Sequence, residues 1–175
     1  MKPKKIFTST SFFAILFFAF LSSGCEKSAN TTVYEWSATI DGVNYDYSMS
    51  STSPTDQGNC QMINAISSSI LLRDESGYPA LTFSSTTPFV VGTYTFNAQS
   101  ISPNTVVMVR SFSQPVPESF SNIFPNSQIT LNITSVGAVG GVVEGNFSGS
   151  IGKAVPPSSI TYVNMSGTFK AYIIN

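Results

Sequence analysis

No histidine occurs anywhere in the chain, and that absence removes most of the ways a protein performs covalent or acid–base chemistry. A serine or cysteine nucleophile is ordinarily activated by a neighbouring imidazole, so Ser-His-Asp and Cys-His arrangements are ruled out. Catalytic zinc, held mainly by imidazole, would have to fall back on carboxylates and a thiol. The carboxylates beyond the N-terminal region are Glu35, Asp41, Asp46, Asp56, Asp74, Glu75, Glu118 and Glu144. A pair of them would suit glycoside hydrolysis, but most lie in predicted turns or on polar strand faces, where a solvated carboxylate is the ordinary role. Calcium could take loop oxygens from Asp56, Gln57 and Asn59, or from Asp74 and Glu75. Neither group has the dense D-x-D-x-D-G spacing of a built calcium loop. The expectation is a protein with no catalytic residues, no metal site and no cofactor.

Binding chemistry is better represented. Aromatic rings offer stacking platforms, and Tyr34, Trp36, Tyr45 and Tyr47 are the first cluster. They alternate regularly with polar residues, which assigns them to a core rather than to a ligand shelf. Rings that stand outside any periodic run are better candidates for a ligand: Tyr78 in DESGYP, and Phe120 and Phe124 in SQPVPESFSNIFPNS. That second segment, 113–127, is an irregular connection longer than about 12 residues, a length uncommon without a purpose. Two readings stand for it. Phe120, Ile123 and Phe124 either fold back to cap an open end of the domain, which is preferred, or they form a binding loop.

The two cysteines have separate roles. Cys60, in CQMINAI, sits in an alternating run and reads as a small buried residue. Cys25 closes LSSGC, directly after the uncharged run SFFAILFFAFL and the basic opening MKPKKIF. A positive start, a short apolar run and a small-residue exit describe a secretory signal peptide. The apolar run is too short for a transmembrane helix, which needs roughly 20 residues.

Leu21, Ser22, Ser23, Gly24 and Cys25 resemble the lipobox of bacterial lipoproteins, with the leucine four places before the cysteine and Ser22 in the customary aliphatic position. The resemblance implies cleavage after residue 24 and a diacylglyceryl group on the Cys25 sulfur. Two or three acyl chains, at about 0.8 kcal/mol per buried methylene, anchor a protein stably. The organisation expected is a signal peptide over 1–24, a polar tether over 25–32 and one domain over 33–175. The mature chain would keep 151 residues, enough for a single core. Loss of Lys2, Lys4 and Lys5 leaves 5 basic against 9 acidic residues, a net charge near −4. Such a surface has no electrostatic footprint for nucleic acid.

The elements that must position these residues are strands. Tyr34 to Ile40 alternates with period two, Asp41-Gly42 supplies a tight turn, and the alternation resumes at Val43. Further runs cover 60–66, 70–73, 80–84, 92–97, 105–112, 128–136, 142–151 and 160–174, separated by turn clusters. No apolar run has helical period. The fold class predicted is all-β: a single antiparallel β-sandwich, immunoglobulin-like or jelly-roll-like, of nine to ten strands. Within it VVEGNFSGSI (142–151) echoes VNMSGTFKAY (163–172), each with glycine two residues before phenylalanine. Similar packing in two neighbouring strands explains this more simply than duplication, with Phe147 and Phe169 covering the space that the glycines leave.

The WSATIDGVNY stretch, GTYTF at 92–96, this C-terminal pattern and the lipobox together resemble the small β-sandwich lipoproteins of Bacteroidota that carry domain-of-unknown-function labels. The resemblance implies a fold and a lipid-anchored place in the cell envelope, at the outer membrane. It supplies no catalytic residue. The partners expected are the membrane, through the anchor, and either an extracellular glycan or another envelope protein.

Overall fold

The computed structural model describes residues 32–51, 60–64, 67–73, 77–98, 104–109, 118–155 and 158–174. The signal peptide, Cys25 and the tether up to residue 31 lie outside these, as do Asp56, Gln57, Asn59, Asp74, Glu75 and residues 113–117 of the long connection. Eleven strands occur among the described residues: β1 Thr32–Ile40, β2 Val43–Ser51, β3 Cys60–Asn64, β4 Ser68–Arg73, β5 Ala80–Ser85, β6 Gly92–Asn97, β7 Thr105–Val109, β8 Ser119–Ser121, β9 Gln128–Val136, β10 Val142–Val155 and β11 Ser159–Ile174. No helix is present among the described residues. The all-β expectation holds, and each of the ten predicted runs coincides with a strand over its described residues, 65–66 and 110–112 lying outside them. The eleventh, β8, lies inside the segment expected to be irregular, because three residues between a proline-rich stretch and a turn are too few to show a period.

The strands form one hydrogen-bonded sheet in the order β2-β1-β11-β3-β4-β5-β7-β8-β10-β9-β6, with β10 also paired to β11. The sheet is mixed rather than purely antiparallel, because β3 runs parallel to the last three residues of β11. β10 and β11 form a long hairpin, in register from Val142 opposite Tyr172 to Val155 opposite Ser159. Around it six strands run antiparallel in the order β2-β1-β11-β10-β9-β6.

Three strand spacings separate β5 from β10, which in a flat sheet is about 14 Å. Yet Phe83 of β5 lies 5.4 Å from the Phe147 ring of β10 and 5.7 Å from Phe96 of β6. The sheet therefore curls until its apolar face meets itself, and Trp36, Phe83, Phe96, Phe120 and Phe147 are buried there. Trp36, expected in the core, is 1% exposed, and its indole N–H donates to the Arg73 carbonyl at 3.0 Å.

The glycine–phenylalanine echo is a register device. Gly145 pairs with Phe169 and Gly167 pairs with Phe147, so each ring lies over the glycine of the opposite strand. A Cβ on Gly145 would stand 2.7 Å from the Phe169 ring, and one on Gly167 would stand 2.7 Å from Phe147. Both glycines leave room for a cross-strand ring.

Cys60 is fully buried, with its Sγ 3.4 Å from the Lys170 carbonyl and 3.6 Å from that of Glu35. Burial, reinforced by the Glu35 charge, pushes its thiol up to about 12 from 9.0. The unfolded chain releases this proton near 9 while the folded chain holds it, so this group's stabilisation is whole below about 9 and is lost as pH rises towards 12. The native thiol is expected to resist iodoacetamide until denaturant is added. A Cys60→Ala variant should lose stability less steeply over that alkaline range, and an equal slope in both proteins would refute the linkage.

Candidate functional site

Alternation along each of the six strands sends one set of side chains into the core and the other outward. The register then aligns the outward set into rows across the face. One row is Asp46, Ser37, Thr168, Asn146, Asn132 and Thr93, running from β2 to β6. The next is Asn44, Thr39, Ser166, Ser148, Thr130 and Thr95. A third, shorter row is Asn164, Ser150, Gln128 and Asn97. Every member is exposed or half-buried, and Asp46 is the only one that carries a charge.

At about 4.8 Å per strand, a six-strand row spans about 24 Å. Local hydrogen bonds orient parts of it. Ser37 Oγ lies 3.2 Å from Thr168 Oγ1, Thr93 donates to Asn132 Oδ1 at 3.2 Å, and Thr39 donates to Asn44 Oδ1 at 2.8 Å. Hydroxyls and amides both donate and accept, so the face presents both kinds of hydrogen-bonding group at regular intervals.

Three shallow depressions open on this face, and Thr168 lines all of them. The first, about 440 Å³, has Ser37, Thr39, Asn44, Asp46 and Ser166 around Gly167. The second, about 510 Å³, adds Glu35, Tyr47 and Ser48. The third, about 380 Å³, includes Asn146, Glu144 and Lys170. Glu144 and Lys170 are paired at 3.2 Å, and Glu35, opposite Lys170, lines the same margin.

In the other direction along β11 the outward positions continue from Asn164 to Tyr162 and Ile160. Tyr162 is 36% exposed and its hydroxyl donates to the Pro125 carbonyl. Its ring lies over Gly152, where a Cβ would come within 2.9 Å of it. The polar face thus ends in an aromatic ledge.

The ring residues singled out from the sequence fall in two places. Phe120, on β8, is 1% exposed beneath Lys153, whose ammonium lies 5.2 Å from the ring centroid. It shows no ring face to solvent and is corrected from a ligand candidate to a core residue, because the short pairing of β8 with β7 and β10 turns it inward. Phe124 is half-buried against Gly152, beside Tyr162. Tyr78 is half-buried two residues ahead of β5, on a different element.

The segment from 118 to 127 is pinned rather than loose. Asn122 is buried, accepts from the Val106 N–H at 2.9 Å, and donates to the carbonyls of Asn97 and Asn104. Ser127 Oγ accepts from the Gly152 N–H at 3.1 Å. Phe120 is buried in the core, Phe124 packs against Gly152, and Ile123 is 65% exposed.

Among the described carboxylates, Glu118 pairs with Lys153 and Glu144 with Lys170. No group of three or more metal-ligating side chains occurs among the described residues. The hydroxyl and amide rows were missed because each strand's polar positions are legible singly, whereas their alignment depends on cross-strand register. Neither a family model, nor a curated protein, nor a solved structure matches this chain.

Proposed function

We propose that the chain is a lipid-anchored bacterial envelope protein of the Bacteroidota type, whose domain binds an extracellular glycan without catalysis. The observation that carries the binding half is the face of hydroxyl and amide rows, with Asp46 as their one charge, its depressions meeting at Thr168 and its end marked by the Tyr162 ring. A neutral polysaccharide matches that chemistry, since its hydroxyls exchange hydrogen bonds with the rows and a sugar face stacks on Tyr162. From Thr168 to Tyr162 is about 20 Å along β11, so the ligand is a chain of several sugars rather than one. The face is open to water, which makes single contacts weak and the length of the ligand important. The anchor is supported by the LSSGC exit and its basic, apolar approach.

The test is a thermal-shift screen of the mature chain against neutral and acidic polysaccharides. A ligand present at a hundred times its dissociation constant adds about 2.7 kcal/mol of stability. Thr168→Val preserves shape and removes one hydroxyl, and is expected to weaken binding by about 0.5–1.5 kcal/mol. Tyr162→Ala should weaken it further, by about 1–3 kcal/mol if a sugar stacks there as firmly as a base stacks on an aromatic ring. A screen in which no polysaccharide raises the melting point defeats this reading.

A second reading, an accessory role beside other envelope proteins, draws on the two ends of the strand order. Among the described residues β2 and β6 each pair with one neighbour, and an open strand edge is a template for another chain. A melting-point rise with envelope extract but with no sugar would favour it.

A further inference from the structure

The end of the domain from which the tether leaves carries a set of exposed valines held by a fixed backbone. Glu35 is opposite Lys170 and the Tyr34 ring lies 5.6 Å from the Tyr172 ring, so the start of β1, whose first described residue is Thr32, sits at the same end as the last residues of β11. The β9–β10 turn sits beside it: the Gly140 N–H donates to the Ile173 carbonyl at 2.9 Å, and the Ile173 N–H to that of Gly141 at 3.0 Å. At the apex of this turn Val139 is 58% exposed. The connection into β6 reaches the same end, since Gly92 pairs with Ile133 and the chain before it runs on towards Val136. There Val90 and Val91 are 60% and 61% exposed.

Neither loop is loose. Phe89 is buried and its N–H donates to Ser68 Oγ at 2.8 Å, while the Tyr94 hydroxyl accepts from the Val90 N–H and donates to the Val90 carbonyl. Gly137 donates to the Val142 carbonyl at 2.8 Å and closes the other turn. The segments TTPFVVG and GAVGG contain no charged residue. They can therefore approach a bilayer interface without desolvating a charge.

We infer that this end of the domain rests on the bilayer that holds the anchor, with Val90, Val91 and Val139 in the interface. The inference rests on the lipid-anchored reading of Cys25, because the occupant follows from chain length. Six residues separate Cys25 from Thr32, seven Cα-to-Cα steps with a reach of at most about 25 Å. A lipid at Cys25 therefore keeps this end, rather than the β10–β11 hairpin tip, near the membrane. Tyr162 then points away from the bilayer, and the polar face stands on end where an extracellular chain can reach it.

The experiment uses the full mature lipidated chain in phosphatidylethanolamine and phosphatidylglycerol vesicles. An environment-sensitive fluorophore is placed on Val91→Cys, Val139→Cys or Ile160→Cys, Cys60 being buried. Lipids with a quencher high on the acyl chain are expected to quench the labels at 91 and 139 several-fold more than the label at 160. If the protein floats with the vesicles but the labels at 91 and 139 are quenched no more than that at 160, the inference falls while the anchor stands. If the protein does not float, the anchor reading falls and takes the inference with it.

Discussion

Gly149→Ala is expected to cost the domain about 3–5 kcal/mol, a large part of the roughly 5–15 kcal/mol that holds a domain folded. Two independent strains add there. The residue has a positive φ of 144°, a backbone that side-chain-bearing residues rarely adopt. A Cβ would also stand 2.0 Å from the Gln128 carbonyl oxygen and 2.8 Å from Ile129 Cα, both backbone atoms of the paired strand β9. A flexible side chain can swing aside, but a paired strand moves only by breaking its ladder. Ser148→Ala, one residue away and exposed, is the control and should stay within about 0.5 kcal/mol of the parent. Urea unfolding of both variants decides it, and a Gly149→Ala midpoint equal to that of the control would contradict the described backbone.

Phe147→Ala is expected to cost about 3–5 kcal/mol. The ring meets Phe83 across the curled sheet and covers Gly167 along β11, so its removal opens a cavity in the core and bares the glycine backbone together. A double-mutant cycle with Phe83→Ala separates these effects. Residues in contact couple by about 0.5–3 kcal/mol, and the cycle should fall in that range. Strict additivity would mean that β5 and β10 do not face each other. Phe169→Ala should show no such coupling to Phe83, because its partner is Gly145.

Those two residues mark how far the sequence is legible. Strict alternation identified Tyr34, Trp36 and Ile40 as one face of a strand, and all three are buried. Asp41-Gly42 identified the hairpin, and both residues take positive φ, 54° and 79°. The spacing of glycine and phenylalanine in GNF and GTF predicted rings covering glycines, and the register pairs each ring with the glycine of the other strand. These signals are local, with a period of two or a turn of two residues.

Features set by long-range pairing were not legible. β8 is three residues long and stands by pairing to β7 and β10, so nothing in SFS shows it. Phe120 stands both as a cap residue, the preferred reading, and as a ligand candidate because its neighbours lack period, and the same short pairing buries it. The polar rows take one or two residues from each of six strands, and Thr168 gains its central place only when Ser37 and Asn146 arrive on either side. Tyr162 stands out only through pairing, because its strand looks ordinary while its ring lies over the glycine at the facing position, Gly152.

The most direct test of the proposed binding face is residue-resolved amide chemical-shift mapping of the mature domain during titration with a polysaccharide that raises its melting point. Perturbations are expected along β11 and its flanks, at Thr168, Ser166, Asn164, Tyr162 and Asn146, and they should saturate together. Perturbations confined to Tyr78 or to the outer edges of β2 and β6, with these positions silent, would contradict that binding face.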